Sequence, residues 1–171
     1  MSRTRDALAA SLLAGAVGAA LVACLGDQAT ARTTPVTPDR ASFGVVAQAV
    51  VHRCGSLDCH GSTYRNLRVY GNEGMRLAAG DLPLTPALTT AAEISEDFVS
   101  IVGLEPELMA EVVSSGGAQP ERLSLVRKAR GSEVHKGGSV VTPGDDWDNC
   151  VTSWLASATD TAACVRAAPP L

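Results

Sequence analysis

Aromatic residues are scarce: two Trp, two Tyr and two Phe in 171 residues. So few rings make a base-stacking surface or a carbohydrate platform an unpromising reading. An excess of positive charge is also missing, with 14 Lys and Arg against 18 Asp and Glu. That balance argues against nucleic acid as a partner and supplies no basic patch for a membrane surface. The sequence holds no glycine-rich phosphate loop, no serine elbow and no H-E-x-x-H run, which removes the commonest signatures of nucleotide, acyl-transfer and zinc-hydrolase chemistry. No segment alternates apolar and polar residues for long, and no internal repeat is visible.

The N-terminus opens with Arg3 and Arg5, and an alanine-rich apolar run follows from Ala7 to Ala23. In length and flanks this is the apolar region of a signal peptide, and its alanines and glycines make it weak as a spanning helix. The tetrad Leu21, Val22, Ala23, Cys24 resembles the bacterial lipobox. That resemblance implies a signal peptide over residues 1–23, cleavage before Cys24, and acylation of that cysteine as the membrane anchor. Leu25 stands where aspartate would signal inner-membrane retention, so the resemblance implies a cell-envelope protein at the outer membrane. Losing residues 1–23 moves the formal charge from −4 to −5, since Arg3, Arg5 and Asp6 go with them. Residues 24–41, with Pro35 and Pro38 and few large apolar groups, read as a lipidated flexible tether before one domain over 42–171.

Cys54 and Cys59 precede His60 and Gly61 directly, as Arg53-Cys54-Gly55-Ser56-Leu57-Asp58-Cys59-His60-Gly61. Two thiols followed at once by an imidazole are the attachment and ligand set of a c-type haem. The common spacing is C-x-x-C-H, whereas this one is C-x4-C-H, so two further residues must loop out. The competing readings are a local Cys54–Cys59 disulfide with His60 as a bystander, or another metal. With Cys24 taken by lipid, four cysteines remain, and four can pair in three ways. The simplest division gives Cys54 and Cys59 to haem or to each other and leaves a Cys150–Cys164 disulfide.

Periodicity predicts a mostly α domain with long loops. Phe43, Val46, Val50 and Cys54 fall on one face of a first helix, with Asp39 or Ser42 as its cap. The stretch 61–83 reads as loop, with a short extended piece over Leu67–Tyr70, and Thr85-Pro86 begins a weak helical turn. Helices are expected over Ala91–Val102, from Pro106 to Ser114 with Gly116-Gly117 as the stop, and from Pro120 to near Gly131. A last helix, capped by Thr142 with Pro143 at its first position, carries the stripe Trp147, Cys150, Val151, Trp154 and Leu155. Asp145, Asp146 and Asp148 read as its solvated start.

A haem iron held by His60 needs a second ligand in most electron carriers, and His52, His135, Met75 and Met109 are the candidates. Met109 sits in an apolar stripe and reads as core. His52 shares a helix with Cys54. Met75 lies in a glycine-rich loop, and His135 precedes Gly137 and Gly138, which permit close approach of the backbone to a planar group. Arg65, Arg68 and Arg76 offer forks for haem propionates or are solvated loop charges.

Taken together, Cys59-His60-Gly61, His135-Lys136-Gly137-Gly138 and Trp154-Leu155 resemble class I c-type cytochrome domains, in particular those of lipidated bacterial proteins. The resemblance spans about residues 42–157. It implies a cytochrome-c-like helical fold and one covalent haem c on Cys54 and Cys59. It also implies His60 as proximal and His135 as distal ligand, and electron transfer, without catalysis, to a redox partner protein it does not name. The alternative is a cofactor-free, disulfide-stapled envelope lipoprotein with a structural or interaction role.

Overall fold

In the computed structural model of the chain, residues 34–83 and 88–168 are described, and all but Thr34 belong to a unit spanning Pro35–Leu171. The signal peptide, the acylation of Cys24 and the turn at Thr85-Pro86 lie outside the described residues. The described part is helical, with no strand: α1 (Phe43–Cys54), α2 (Ala91–Val102), α3 (Pro106–Ser114), α4 (Ser124–Ala129), α5 (Asp146–Leu155) and α6 (Thr161–Ala167).

Helix α1 is the spine. Its residues Phe43, Val46, Ala47, Val50 and Val51 are all buried, as the apolar spacing predicts. Of the two candidate caps, Asp39 does the work: its carboxylate accepts the N–H groups of Ala41 and Ser42 at 3.0 Å each. The Ser42 hydroxyl instead pairs with Thr159 at 2.9 Å. Phe43, Phe98 and Trp154 bring α1, α2 and α5 together, with ring centroids 5.0 to 6.2 Å apart. The segment read as tether joins the fold before its expected end. Trp154 Nε1 donates to the Asp39 carbonyl at 2.9 Å, and the Arg40 guanidinium lies 4.9 Å from the Phe98 ring centre. A polar tip on a buried indole needs an acceptor, and residues 38–40 supply one.

Two helix starts differ from their sequence readings, each through turn chemistry. Pro120 opens only a 3-10 turn over Pro120–Arg122; Leu123 is then extended and buried, and α4 begins afresh at Ser124. Likewise Pro143 does not start α5. Pro143-Gly144 forms a β-turn closed by Asp145 N–H to the Thr142 carbonyl at 2.9 Å, with Gly144 at φ +84°. Asp145 is the cap, accepting Asp148 N–H at 2.8 Å. Asp148 is buried rather than solvated, and clamps Arg130 through two bonds of 2.8 and 2.9 Å. This fork ties the end of α4 to the start of α5 and so fixes both ends of the loop that carries His135.

A seven-residue helix, α6, follows an Asp160 cap and escaped the sequence reading. It is short, and its alanines give little periodic signal. A Cys150–Cys164 disulfide joins it to α5, with both residues fully buried. Closing a loop of this size is worth about 2–4 kcal/mol. The Cys150→Ala/Cys164→Ala double variant is therefore expected to lose about that much in urea unfolding. Equal midpoints for the variant and the wild type would contradict the staple's role.

Candidate functional site

The segment after α1 shows how a C-x4-C-H stretch accommodates its two further residues. His60 N–H bonds back to the Cys54 carbonyl at 2.9 Å, closing a loop in which the Ser56 carbonyl accepts Cys59 and Gly61 N–H. The intervening residues bulge outward, and Leu57 and Asp58 are exposed. Gly61 and Gly74 crowd the Gly55 carbonyl so closely that a Cβ at either would lie 1.8 Å from that oxygen. Glycine at these positions is a packing requirement of the loop. Arg65 braces the outside, its Nε donating to the Cys59 carbonyl and its Nη2 to the Asp58 carbonyl, each at 3.1 Å.

His60 is held at two points by residues 67–69. Its Nδ1–H donates to the Leu67 carbonyl at 3.0 Å, and Val69 N–H donates to the His60 carbonyl at 2.9 Å. A carbonyl only accepts, so the proton sits on Nδ1 and Nε2 keeps its lone pair. Burial lowers the His60 pKa, with the nearby His135 and Arg65 also lowering it and the Leu67 bond opposing them. The imidazole is thus neutral at neutral pH, the form that ligates metals, and the Leu67 bond orients it.

His135 comes to the same place from the loop between α4 and α5. The two imidazole rings lie 5.8 Å apart, centre to centre, with planes only 10° from parallel. Gly138 N–H to the His135 carbonyl at 2.9 Å closes the turn that presents the ring, and the left-handed φ of Gly138, +69°, permits it. A Cβ on Gly137 would stand 3.1 Å from His135 Cε1, so glycine there leaves room for the ring itself.

Two clefts meet at this histidine pair. One, of about 180 Å³, is walled by Cys54, Leu67, Leu104, Leu125, Ala129 and Val140 as well as both histidines. The other, of about 400 Å³, is lined by Cys59, Arg65, Lys128, Lys136 and Asp58. One side is apolar and the other largely cationic. Cys54 borders the first and Cys59 the second, and both are free thiols. Burial, helped by Cys59 and opposed by Arg53, pushes the Cys54 thiol up to about 12. In this state it stays protonated and is a poor nucleophile.

The other candidate ligands lie elsewhere. His52 is exposed and its Nδ1 pairs with Glu73 at 2.7 Å. Met109 is buried in the core, 2% exposed. Met75 borders a different pocket with Leu57, Gly74 and Pro83, on neither cleft that His60 shares with His135. Among the three arginines, Arg76 is committed to Glu93, Nε to Oε1 at 2.7 Å, with side chains 3% and 0% exposed. Arg65 remains at the cationic cleft, and Arg68 is exposed on another face. Sequence reasoning missed Lys128, which lines both clefts, and the hold that the extended piece over Leu67–Tyr70 has on His60. Neither has a motif; they become visible only when α4 and the loop fold against His60.

Among the described residues no group of three or more His, Cys, Asp or Glu is arranged to hold a metal ion by itself. Compared with protein-family models, curated proteins and solved structures, the chain has no match in any of the three.

Proposed function

We propose that this chain is a haem-c-binding electron-transfer protein of the bacterial cell envelope, anchored through an acylated Cys24. The observation that carries the reading is the His60–His135 pair. The two rings stack 5.8 Å apart, centre to centre, where the two clefts meet, so His60, with its free Nε2, and His135 are the residues that would hold a haem there. The flanking clefts fit the rest of the group. Apolar Leu67, Leu104, Leu125 and Val140 suit a macrocycle, while Arg65, Lys128 and Lys136 suit its carboxylates. Cys54 and Cys59 are the thiols for covalent attachment, and the bulged loop between them absorbs the unusual spacing. In this reading the fold is cytochrome-c-like.

Haem, if bound, would supply one-electron chemistry; the protein would supply orientation, the imidazole nitrogens of His60 and His135, and an apolar enclosure. His60 enters as a neutral ligand whose second nitrogen is fixed by Leu67. His135 is placed by a glycine turn, and the short α4 with its Arg130–Asp148 clamp keeps that turn in register.

The experiment is maturation in cells that carry cytochrome c assembly machinery. A haem-stained band surviving denaturing electrophoresis is the expected result, and it should persist after acid–acetone extraction. The Cys54→Ala/Cys59→Ala variant should lose the band. A colourless wild-type protein, with neither stained nor extractable haem, would sink the proposal in favour of a cofactor-free, stapled lipoprotein.

A further inference from the structure

We propose that Asp97 is a positioning residue for His60, anchoring the strap that holds this imidazole and taking up one proton when the site receives one electron. The inference rests on the haem reading of the site.

Three contacts connect the two residues. His60 Nδ1–H bonds the Leu67 carbonyl at 3.0 Å, Val69 N–H bonds the His60 carbonyl at 2.9 Å, and Tyr70 N–H bonds Asp97 Oδ1 at 2.7 Å. Residues 67–70 therefore run from the imidazole to the carboxyl. Ser100 grips the middle of the strap, its hydroxyl accepting Arg68 N–H at 3.2 Å and donating to the Arg68 carbonyl at 2.8 Å. Four consecutive residues are thus held by α2 on one side and hold His60 on the other.

Asp97 is an unusual anchor. It is 0% exposed, and its Oδ2 is buried without a hydrogen-bond partner. Structural carboxylates are normally satisfied at both oxygens, because an unpaired buried charge is costly. Its charged surroundings oppose ionisation as well. Glu93 and Glu96, on its own helix, both act against the carboxylate. On the loop packed against α2, Arg76 is spent on Glu93. From the N-terminal lead-in, Arg40 lies over Phe98 and bonds Ser95. On α1, His52 is paired with Glu73, and Arg68 on the strap is exposed. The geometry and these neighbours agree with a carboxyl raised by burial to about 7.

The balance is one electron and one proton. An electron arrives from a one-electron donor, a proton arrives from water at Asp97 Oδ2, and no bond in the protein breaks. Ionised Asp97 favours the more positive, oxidised site; protonated Asp97 removes that preference. The midpoint potential should then fall as pH rises through the neutral range.

The test uses the matured holo-protein, titrated with dithionite and ferricyanide between about pH 5 and about pH 8. Asp97→Asn keeps an acceptor for Tyr70 N–H and cannot ionise. Wild type is expected to lose potential across this range, while the variant stays flat near the low-pH value of the wild type. A variant that follows the wild-type slope overturns the proposal. Should the variant not fold, the redox difference infrared spectrum of wild type decides: a carboxylic-acid band gained on reduction at neutral pH is expected, and its absence overturns the assignment. A matured wild type without a haem absorption band contradicts the site reading itself, and this is seen before any titration begins.

Discussion

Replacing His135 with alanine is expected to convert the matured protein from low-spin to predominantly high-spin iron while the haem stays covalently attached. Two imidazoles impose a strong ligand field; one imidazole and an open or water-filled position do not. His60→Ala should be more severe, because the lost ring is also the one that Leu67 and Val69 hold in place. Met75→Ala serves as the comparison, since Met75 borders a separate pocket. It is expected to leave the spectrum unchanged. Bis-histidine ligation also predicts a comparatively low potential, because methionine ligation raises it. A low-spin His135→Ala protein, together with a high-spin Met75→Ala protein, would move the distal position to the methionine.

The second large effect concerns stability. Glu93→Gln is expected to destabilise the domain by about 3–5 kcal/mol, because it leaves the buried Arg76 guanidinium with only the exposed Asp81 carboxylate, 3.8 Å away, as counter-charge. Glu93 does several things at once. It pairs with Arg76 and accepts Leu77 N–H at 3.1 Å. It also accepts Thr90 N–H at 2.8 Å, completing the capping box of α2. Burial acts against its carboxylate, but Arg76 and the two N–H donors outweigh it and hold the pKa at about 2, below the ordinary 4.5. The pH dependence follows in sign. The unfolded chain binds this proton more readily, so the stabilisation is complete above about 4.5 and is lost as pH falls toward about 2. Urea midpoints should show wild type and Glu93→Gln converging in acid and separating near neutrality. Thr90→Ala, which removes only the cap, should cost nearer 1 kcal/mol. Equal stabilities of Glu93→Gln and wild type at neutral pH would refute the account of the pair.

Helices with strong periodicity or clear punctuation were legible in the sequence. Phe43–Cys54, Ala91–Val102 and Pro106–Ser114 lie where apolar spacing, Pro106 and Gly116-Gly117 place them. The Cys150–Cys164 bridge followed from counting cysteines. Proline was the less dependable guide. Pro120 and Pro143 can open a helix or sit in a turn, and the following residues decide: Leu123 leaves the helical conformation to reach the core, and Gly144 takes a positive φ. Charge was misjudged where burial reversed its meaning. Asp148 read as solvated, and Arg76 as a propionate fork or a solvated loop charge; both turn out to be the buried ends of two clamps. In the candidate site, His60 and its cysteines were visible as a motif, whereas the backbone acceptor at Leu67 and the anchor at Asp97 were not. Asp97 shares the buried face of α2 with Phe98 and Ile101, and an acid on an apolar face is the signal that could have found it.

The most direct measurement is pulsed EPR of the oxidised, matured protein grown with isotopically labelled histidine. The account predicts a low-spin ferric centre with hyperfine coupling to two labelled imidazole nitrogens, reduced to one in His135→Ala. Coupling to a single imidazole in wild type, or matured protein with no ferric haem signal, would contradict the claim that His60 and His135 together hold the iron.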